Sequence, residues 1–189
     1  MKVVGFNGSP RKEGNTFNAI KTVFAELEKK GIDTEMVQLG SADIKGCRAC
    51  FKCFETKDKR CIQTDDLNLF VEKMIEADGI IIGSPTYFSN VSTEVKALID
   101  RAGLVVRAND HLLKRKVGAA VVAARRAGAV NVYLNINLFF GISHMIIPGS
   151  SYWNLAIGRT PGEILKDEEG METFRNLGDN MAWLLGKLH

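Results

Sequence analysis

Four cysteines, Cys47, Cys50, Cys53 and Cys61, are the only ones in the chain, and they follow the pattern C-x2-C-x2-C-x7-C. Stray core cysteines would be scattered through apolar segments, whereas these are interleaved with Arg48, Lys52 and Lys57. Structural disulfides fit poorly with an opening segment that lacks the pattern of a secretory signal. A zinc site usually separates two C-x2-C pairs by a longer interval. A redox C-x-x-C would use two thiols and leave two over. Three close cysteines with a fourth further on suit a compact loop wrapped around a cubane cluster, each thiolate on a different iron. The same spacing also sets Cys47, Cys50 and Cys53 near one helix face, where they would pack and bind nothing. A cluster, zinc and unliganded thiols all stay open on these residues alone. The bases around them, Lys45, Arg48, Lys52, Lys57, Lys59 and Arg60, suit an anionic cofactor or an acidic partner.

A second chemical segment runs from Gly8 to Thr16, GSPRKEGNT. Two glycines and a proline shape a loop, Ser9, Asn15 and Thr16 bring polar donors, and Arg11 can clamp two phosphate oxygens at once. A helix opening there adds free N–H groups and a partial positive charge, so the segment suits a phosphate. It is neither G-x-G-x-x-G nor a Walker A loop, which argues against a dinucleotide grip and against ATP chemistry. The plainer alternative is a β–α turn with Asn15 or Thr16 as the helix cap. Two further segments share its context. Ser84–Asn90, SPTYFSN, has a stiffening Pro85 and aromatic surface from Tyr87 and Phe88. Ala124–Gly128, ARRAG, offers two arginines.

The elements that must position these segments are legible from periodicity. Val3–Phe6, Met36–Leu39, Gly79–Gly83, Val117–Ala124 and Met145–Ile147 are short apolar runs that read as buried parallel strands. Helical stripes lie between them: Phe17, Ile20, Phe24 and Leu27; Leu67, Phe70, Val71 and Met74; Val95, Leu98, Ile99 and Ala102; and Met171 through Leu188. Residues 129–141 are apolar nearly all round, which predicts a helix buried against a neighbour. Strands alternating with helices predict right-handed crossovers and one doubly wound α/β domain over residues 1–189, with a cysteine loop at 45–64. Five strands match the flavodoxin-like order 2-1-3-4-5, in which ligands sit beyond the carboxyl ends of the strands. All three segments fall at such ends. Gly149–Gly170 is weakly patterned and is expected to be a binding loop or an oligomer contact.

GSPRKEGNT resembles the phosphate loop of the NADPH-dependent FMN reductase superfamily. The resemblance implies that Ser9, Arg11, Asn15 and Thr16 hold the FMN phosphate. It further implies that Pro85, Thr86, Tyr87, Phe88 and Asn90 line the isoalloxazine ring, while Ala124, Arg125 and Gly128 approach its pyrimidine edge. The cysteine spacing is similar to that of the iron–sulfur flavoprotein family, a branch of the same superfamily. On that likeness Cys47, Cys50, Cys53 and Cys61 ligate a 4Fe–4S cluster beside the flavin. The expected activity is electron transfer from a ferredoxin-like donor through the cluster to FMN and on to a small-molecule acceptor, in a homo-oligomer (dimer or tetramer). A cluster-free NAD(P)H-dependent FMN or quinone reductase is the alternative, and a non-catalytic zinc-binding module a further one.

Other features narrow the field. A net charge of +3 does not call for nucleic acid, no apolar run reaches the 18–20 residues or so of a membrane span, and a cytoplasmic location is expected. His111, His144 and His189 are too dispersed for a histidine metal site. Asp65 and Asp66 most simply cap the following helix, and Tyr152 and Trp153 are expected to pack in the core or at an interface.

Overall fold

The computed structural model describes all of residues 1–189. Five parallel strands stand in the order β2-β1-β3-β4-β5, the flavodoxin-like order expected. They are β1 (Lys2–Asn7), β2 (Asp33–Gln38), β3 (Gly79–Pro85), β4 (Val117–Ala124) and β5 (Leu155–Ile157). Six α-helices join and flank them: α1 (Asn15–Lys29), α2 (Lys52–Thr56), α3 (Leu67–Glu76), α4 (Thr93–Ala108), α5 (Ala129–Ile142) and α6 (Glu168–Leu188), with a 3-10 turn at Glu163–Lys166.

Strand residues alternate between two cores. Val4, Phe6, Ile80, Ile82, Ala120 and Val122 face α3, α4 and α5. Val3, Ile81, Ala119 and Val121 face α1 and α6. β4 is buried along its whole length because it has neighbours on both edges and helices on both faces. β2 is an edge strand with one buried residue, Val37, so it tolerates Asp33 and Glu35. That tolerance explains why the strand starts three residues before the apolar run that predicts it.

The fifth strand is not the one expected. Ile146 makes only a single bridge to Val117, at the start of β4. The chain then swings away and returns as Leu155–Ile157 opposite Val122–Ala124. Pro148 supplies the reason: it lacks an N–H for a ladder and constrains Ile147 before it, and Gly149 follows at once. Residues 129–141 form a helix, as expected, but no neighbour within the chain covers all of it. Val130, Leu134, Leu138 and Ile142 make a stripe between 43% and 61% exposed.

Two glycines set opposite expectations. A Cβ on Gly5 would lie 2.6 Å from Phe24 and 2.8 Å from Ile20, whereas one on Gly103 would meet Phe139 at an ordinary 3.6 Å. Gly5→Ala should destabilise by about 1–3 kcal/mol through overpacking. Gly103→Ala, in mid-helix, should stabilise by about 0.5–1 kcal/mol. Denaturant midpoints of the two variants should therefore move in opposite directions.

Candidate functional site

The loop after β1 is built by side chains that the motif alone does not reveal. Asn7 is fully buried; its amide donates to Gln38 Oε1 (2.8 Å) and the Lys12 carbonyl (3.2 Å) and accepts from the Ser9 N–H (3.2 Å). Gln38 in turn donates to the Ser9 carbonyl at 2.7 Å. Ser9 Oγ accepts from the Arg11 N–H at 3.2 Å. Neither Asn15 nor Thr16 caps α1. Gly14 occupies the cap position and no side chain satisfies the first turn, which leaves its N–H groups for an anion.

The two neighbouring loops are tied to this one. Ser92 Oγ donates to the Gly8 carbonyl (2.8 Å) and the Ser92 N–H donates to buried Ser84 (3.0 Å). The Thr86 N–H donates to the Ala123 carbonyl at 2.9 Å. The result is one pocket of about 130 Å³ at the carboxyl ends of β1, β3 and β4, lined by Ser9, Arg11, Asn15, Thr16, Pro85, Thr86, Tyr87, Ala123, Ala124, Arg125, Gly158 and Arg159.

Most residues singled out by sequence meet there, but Phe88, Asn90 and Gly128 do not line the pocket. Tyr87 and Asn90 close a tight turn whose centre, Phe88 (φ 48°) and Ser89 (φ 58°), is left-handed. Phe88 stands fully in solvent at the tip. Gly128 (φ 84°) passes so close to that turn that a Cβ would lie 2.2 Å from Ser89 Oγ, so it shapes the loop rather than the pocket wall.

Ala123, Gly158 and Arg159 join the pocket unannounced by any motif. The signal for the last two was the weakly patterned Gly149–Gly170 segment. Asn15 draws that segment in: its amide donates to the Gly158 carbonyl (2.9 Å) and accepts from the Ile164 N–H (3.4 Å). None of Arg11, Arg125 and Arg159 is held in an ion pair, so three uncommitted cations face one cavity. Such a pocket favours an anionic ligand. Tyr152 and Trp153 pack on each other, ring centroids 4.9 Å apart, and are about half exposed rather than in the core.

The cysteine loop forms a separate site. All four thiols line one small pocket, together with Arg48, Phe51, Ile62, Gln63, Arg101, Leu104 and Val105. Left-handed Ala49 (φ 50°), Phe51 (φ 54°), Lys57 (φ 50°) and Lys59 (φ 65°) bend the chain around it. No three His, Cys, Asp or Glu side chains are gathered as a group able to hold a metal ion. The donor chemistry nevertheless fits a thiophilic centre: four sulfurs, no carboxylate in the lining, and the buried Arg101 Nε without a partner. Burial pushes the Cys53 thiol above its ordinary value.

The loop is clamped by residues outside it. Asn68 on α3 accepts from the Cys61 N–H (2.8 Å) and donates to the Cys61 carbonyl (2.9 Å). The Lys59 N–H donates to Asn109 at 3.2 Å. Of the two expected caps, Asp65 accepts from the Leu67 N–H at 3.2 Å, whereas Asp66 stands at the cap position of α3 without a side-chain cap bond, and both fasten the loop. Asp66 accepts from the Asp43 N–H (2.9 Å), and Asp65 accepts from the Lys45 N–H (3.0 Å) and pairs with Arg101. Both side chains of that pair have no solvent exposure. Burial would raise the Asp65 carboxyl, but the Arg101 guanidinium and the Lys45 and Leu67 N–H groups outweigh it and hold it low. Removing one partner of such a pair costs about 3–5 kcal/mol.

Comparison with known proteins identifies the family. Residues 1–160 match the NADPH-dependent FMN reductase family. An iron–sulfur flavoprotein of Methanocaldococcus jannaschii is 38% identical over 189 aligned residues, covering 96% of each chain. An iron–sulfur flavoprotein of Methanosarcina thermophila is 35% identical, covering 98% of this chain and 95% of its own. Among solved structures, RosB with a bound 8-demethyl-8-formylriboflavin-5'-phosphate intermediate superposes with a TM-score of 0.77 over all of this chain and 80% of its own. At 19% identity that likeness speaks for the fold alone. The chain therefore belongs to the NADPH-dependent FMN reductase family, in its iron–sulfur flavoprotein branch, and is a flavin-dependent oxidoreductase.

Proposed function

We propose that the chain carries electrons from a ferredoxin-like donor to a small-molecule acceptor, holding FMN in the crevice pocket and a 4Fe–4S cluster on Cys47, Cys50, Cys53 and Cys61. The observation that carries this reading is the convergence of Ser9, Arg11, Thr16, Thr86, Tyr87 and Arg125 on one cavity at the carboxyl ends of the strands. Bound in the crevice, FMN would supply one- or two-electron exchange, and a cluster on the four thiols would supply one-electron exchange, chemistry that no side chain of the chain supplies.

The residues divide that labour by charge and shape. Ser9, Thr16 and the uncapped N-terminus of α1 suit the phosphate, with Arg11 and Arg159 as counter-charges. Asn15 is engaged with Gly158 and Ile164, so it orders the site by holding the later segment against the phosphate loop. Pro85, Thr86 and Tyr87 form the wall for the ring system, and Arg125 lies at the end of β4, placed to favour negative charge on the ring. Phe88, Asn90 and Gly128 set the shape of the rim.

A second reading, a cluster-free NAD(P)H-dependent FMN or quinone reductase, is supported by the match of residues 1–160 to the NADPH-dependent FMN reductase family. The partner surface supports assembly with a second copy. Leu138 and Ile142 of the exposed stripe line a groove with Ile99 and Leu104 of α4, and Leu134 and Val130 continue the stripe along α5, an apolar face that a homo-oligomer would cover. No helix is long and apolar enough to cross a membrane.

Anaerobically purified protein should contain about four irons and four acid-labile sulfides per FMN. Flavin with neither, even after reconstitution, combined with rapid bleaching by NADPH, would establish the second reading instead. Stoichiometric zinc without turnover would point to the non-catalytic module.

Arg11→Gln should weaken FMN by about 10- to 100-fold, the worth of a hydrogen bond to a charged group, while leaving riboflavin binding unchanged. Equal weakening of both ligands would remove Arg11 from the phosphate.

Leu134→Glu combined with Leu138→Glu should shift the assembly towards monomer in light scattering while FMN is retained. An unchanged mass would rule this face out as the contact.

A further inference from the structure

The bases within the cysteine loop are not the ones best placed to act on its thiols. Lys52 pairs with Glu55 and Arg60 with Glu72, all substantially exposed, so solvent screens their charge. The buried cation comes from elsewhere. Arg101 projects from α4, about forty residues after Cys61 in sequence, and its side chain has no solvent exposure.

Its guanidinium reaches three parts of the loop at once. Nη1 donates to Asp65 and, at 3.0 Å, to the Lys45 carbonyl. Nη2 donates to Cys61 Sγ at 3.2 Å. Nε is buried with no partner, and the side chain lines the same pocket as the four thiols. A planar fork is needed for this pattern; a lysine ammonium is a point donor on a flexible stem. An apolar side chain would fill the same space without desolvating a charge. Asp65 balances the Arg101 charge within the protein, but the bond to Cys61 Sγ and the unpartnered Nε leave the guanidinium with donor capacity for acceptors at the thiol pocket.

We infer that Arg101 is the positioning residue of the cysteine site, fixing Cys61 against α4 and supplying the one desolvated positive charge that the ligand set feels. The inference rests on the reading of Cys47, Cys50, Cys53 and Cys61 as cluster ligands. Outer-shell donors to a metal-bound sulfur tune both affinity and potential. Positive charge and a hydrogen bond on Cys61 Sγ favour the reduced, more negative state of the centre.

Two measurements test it. In metal-free protein, trypsin should cut after Lys57, Lys59 and Arg60 about tenfold faster in Arg101→Met than in wild type, because the loop opens locally. In anaerobically reconstituted protein, the cluster potential should fall to a more negative value in Arg101→Met, with a smaller fall in Arg101→Lys, which keeps the charge but not the fork. A merely structural role would change the trypsin rate and leave the potential alone. FMN binding reports whether each variant is folded. If Arg101→Met is not, Arg101→Lys and Asp65→Asn replace it, and wild-type values in both assays overturn the inference. An unchanged trypsin rate defeats the positioning claim, and an unchanged potential defeats the charge claim. Wild-type protein that takes up no iron or sulfide would defeat the cluster reading instead, with the trypsin comparison still deciding whether Arg101 holds the loop.

Discussion

A parallel sheet cannot join its strands by tight hairpins, so each strand here must be followed by a crossover that returns over one face or the other. Because helices then cover both faces, loops gather at the two ends of the sheet, and α1 begins where β1 stops. The first and third strands lie side by side at the sheet's centre while their following helices lie on opposite faces, α1 on one and α4 on the other. Between those diverging loops a crevice must open. Asn7, Ser84 and Ser92 are buried there because they fasten the loops on either side of that opening to each other, and their polar groups are satisfied in doing so.

The cysteine site depends on a different interaction. Its loop lies between β2 and α3, carries four non-glycine residues in left-handed conformations, and has a helix of only five residues. Such a segment has little apolar area to bury and gains its order from polar clamps contributed by α3 and α4. Asn68, Asn109, Asp65 and Arg101 are those clamps. An exposed ion pair would contribute little, but the dry Arg101–Asp65 pair is costly to half-remove and so fixes one arrangement of the loop.

How much of this was legible in the sequence follows from the range over which each signal acts. Strand β4 and the stripes of α1 and α3 were readable because burial on fixed faces imposes a local period. The GSPRKEGNT loop was readable because its glycines, proline and arginine lie within a few residues of one another. The pairing of β5 was not, since the apolar run Met145–Ile147 looks as much like a strand as Leu155–Ile157 does, and Pro148 decides between them. Arg159 was missed because its place depends on a bond between Asn15 and a carbonyl 143 residues later. Arg101 was hidden for the same reason: within α4 it reads as one more charged residue on an amphipathic helix, and only the packed structure shows that it faces inward.

The broken fifth position of the sheet affects how copies of the molecule can meet. Ile146 and Leu155–Ile157 each pair with β4, but the chain between them leaves the sheet, so β4's outer margin is never backed by a long straight strand. At the opposite margin β2 carries Asp33 and Glu35, the latter paired with Lys2 and Lys73. Neither margin is a good template for another strand, one being too short and interrupted and the other charged. Edge-to-edge extension of the sheet is thereby discouraged, and what the molecule offers to any partner is its helix surfaces, where contacts are discrete.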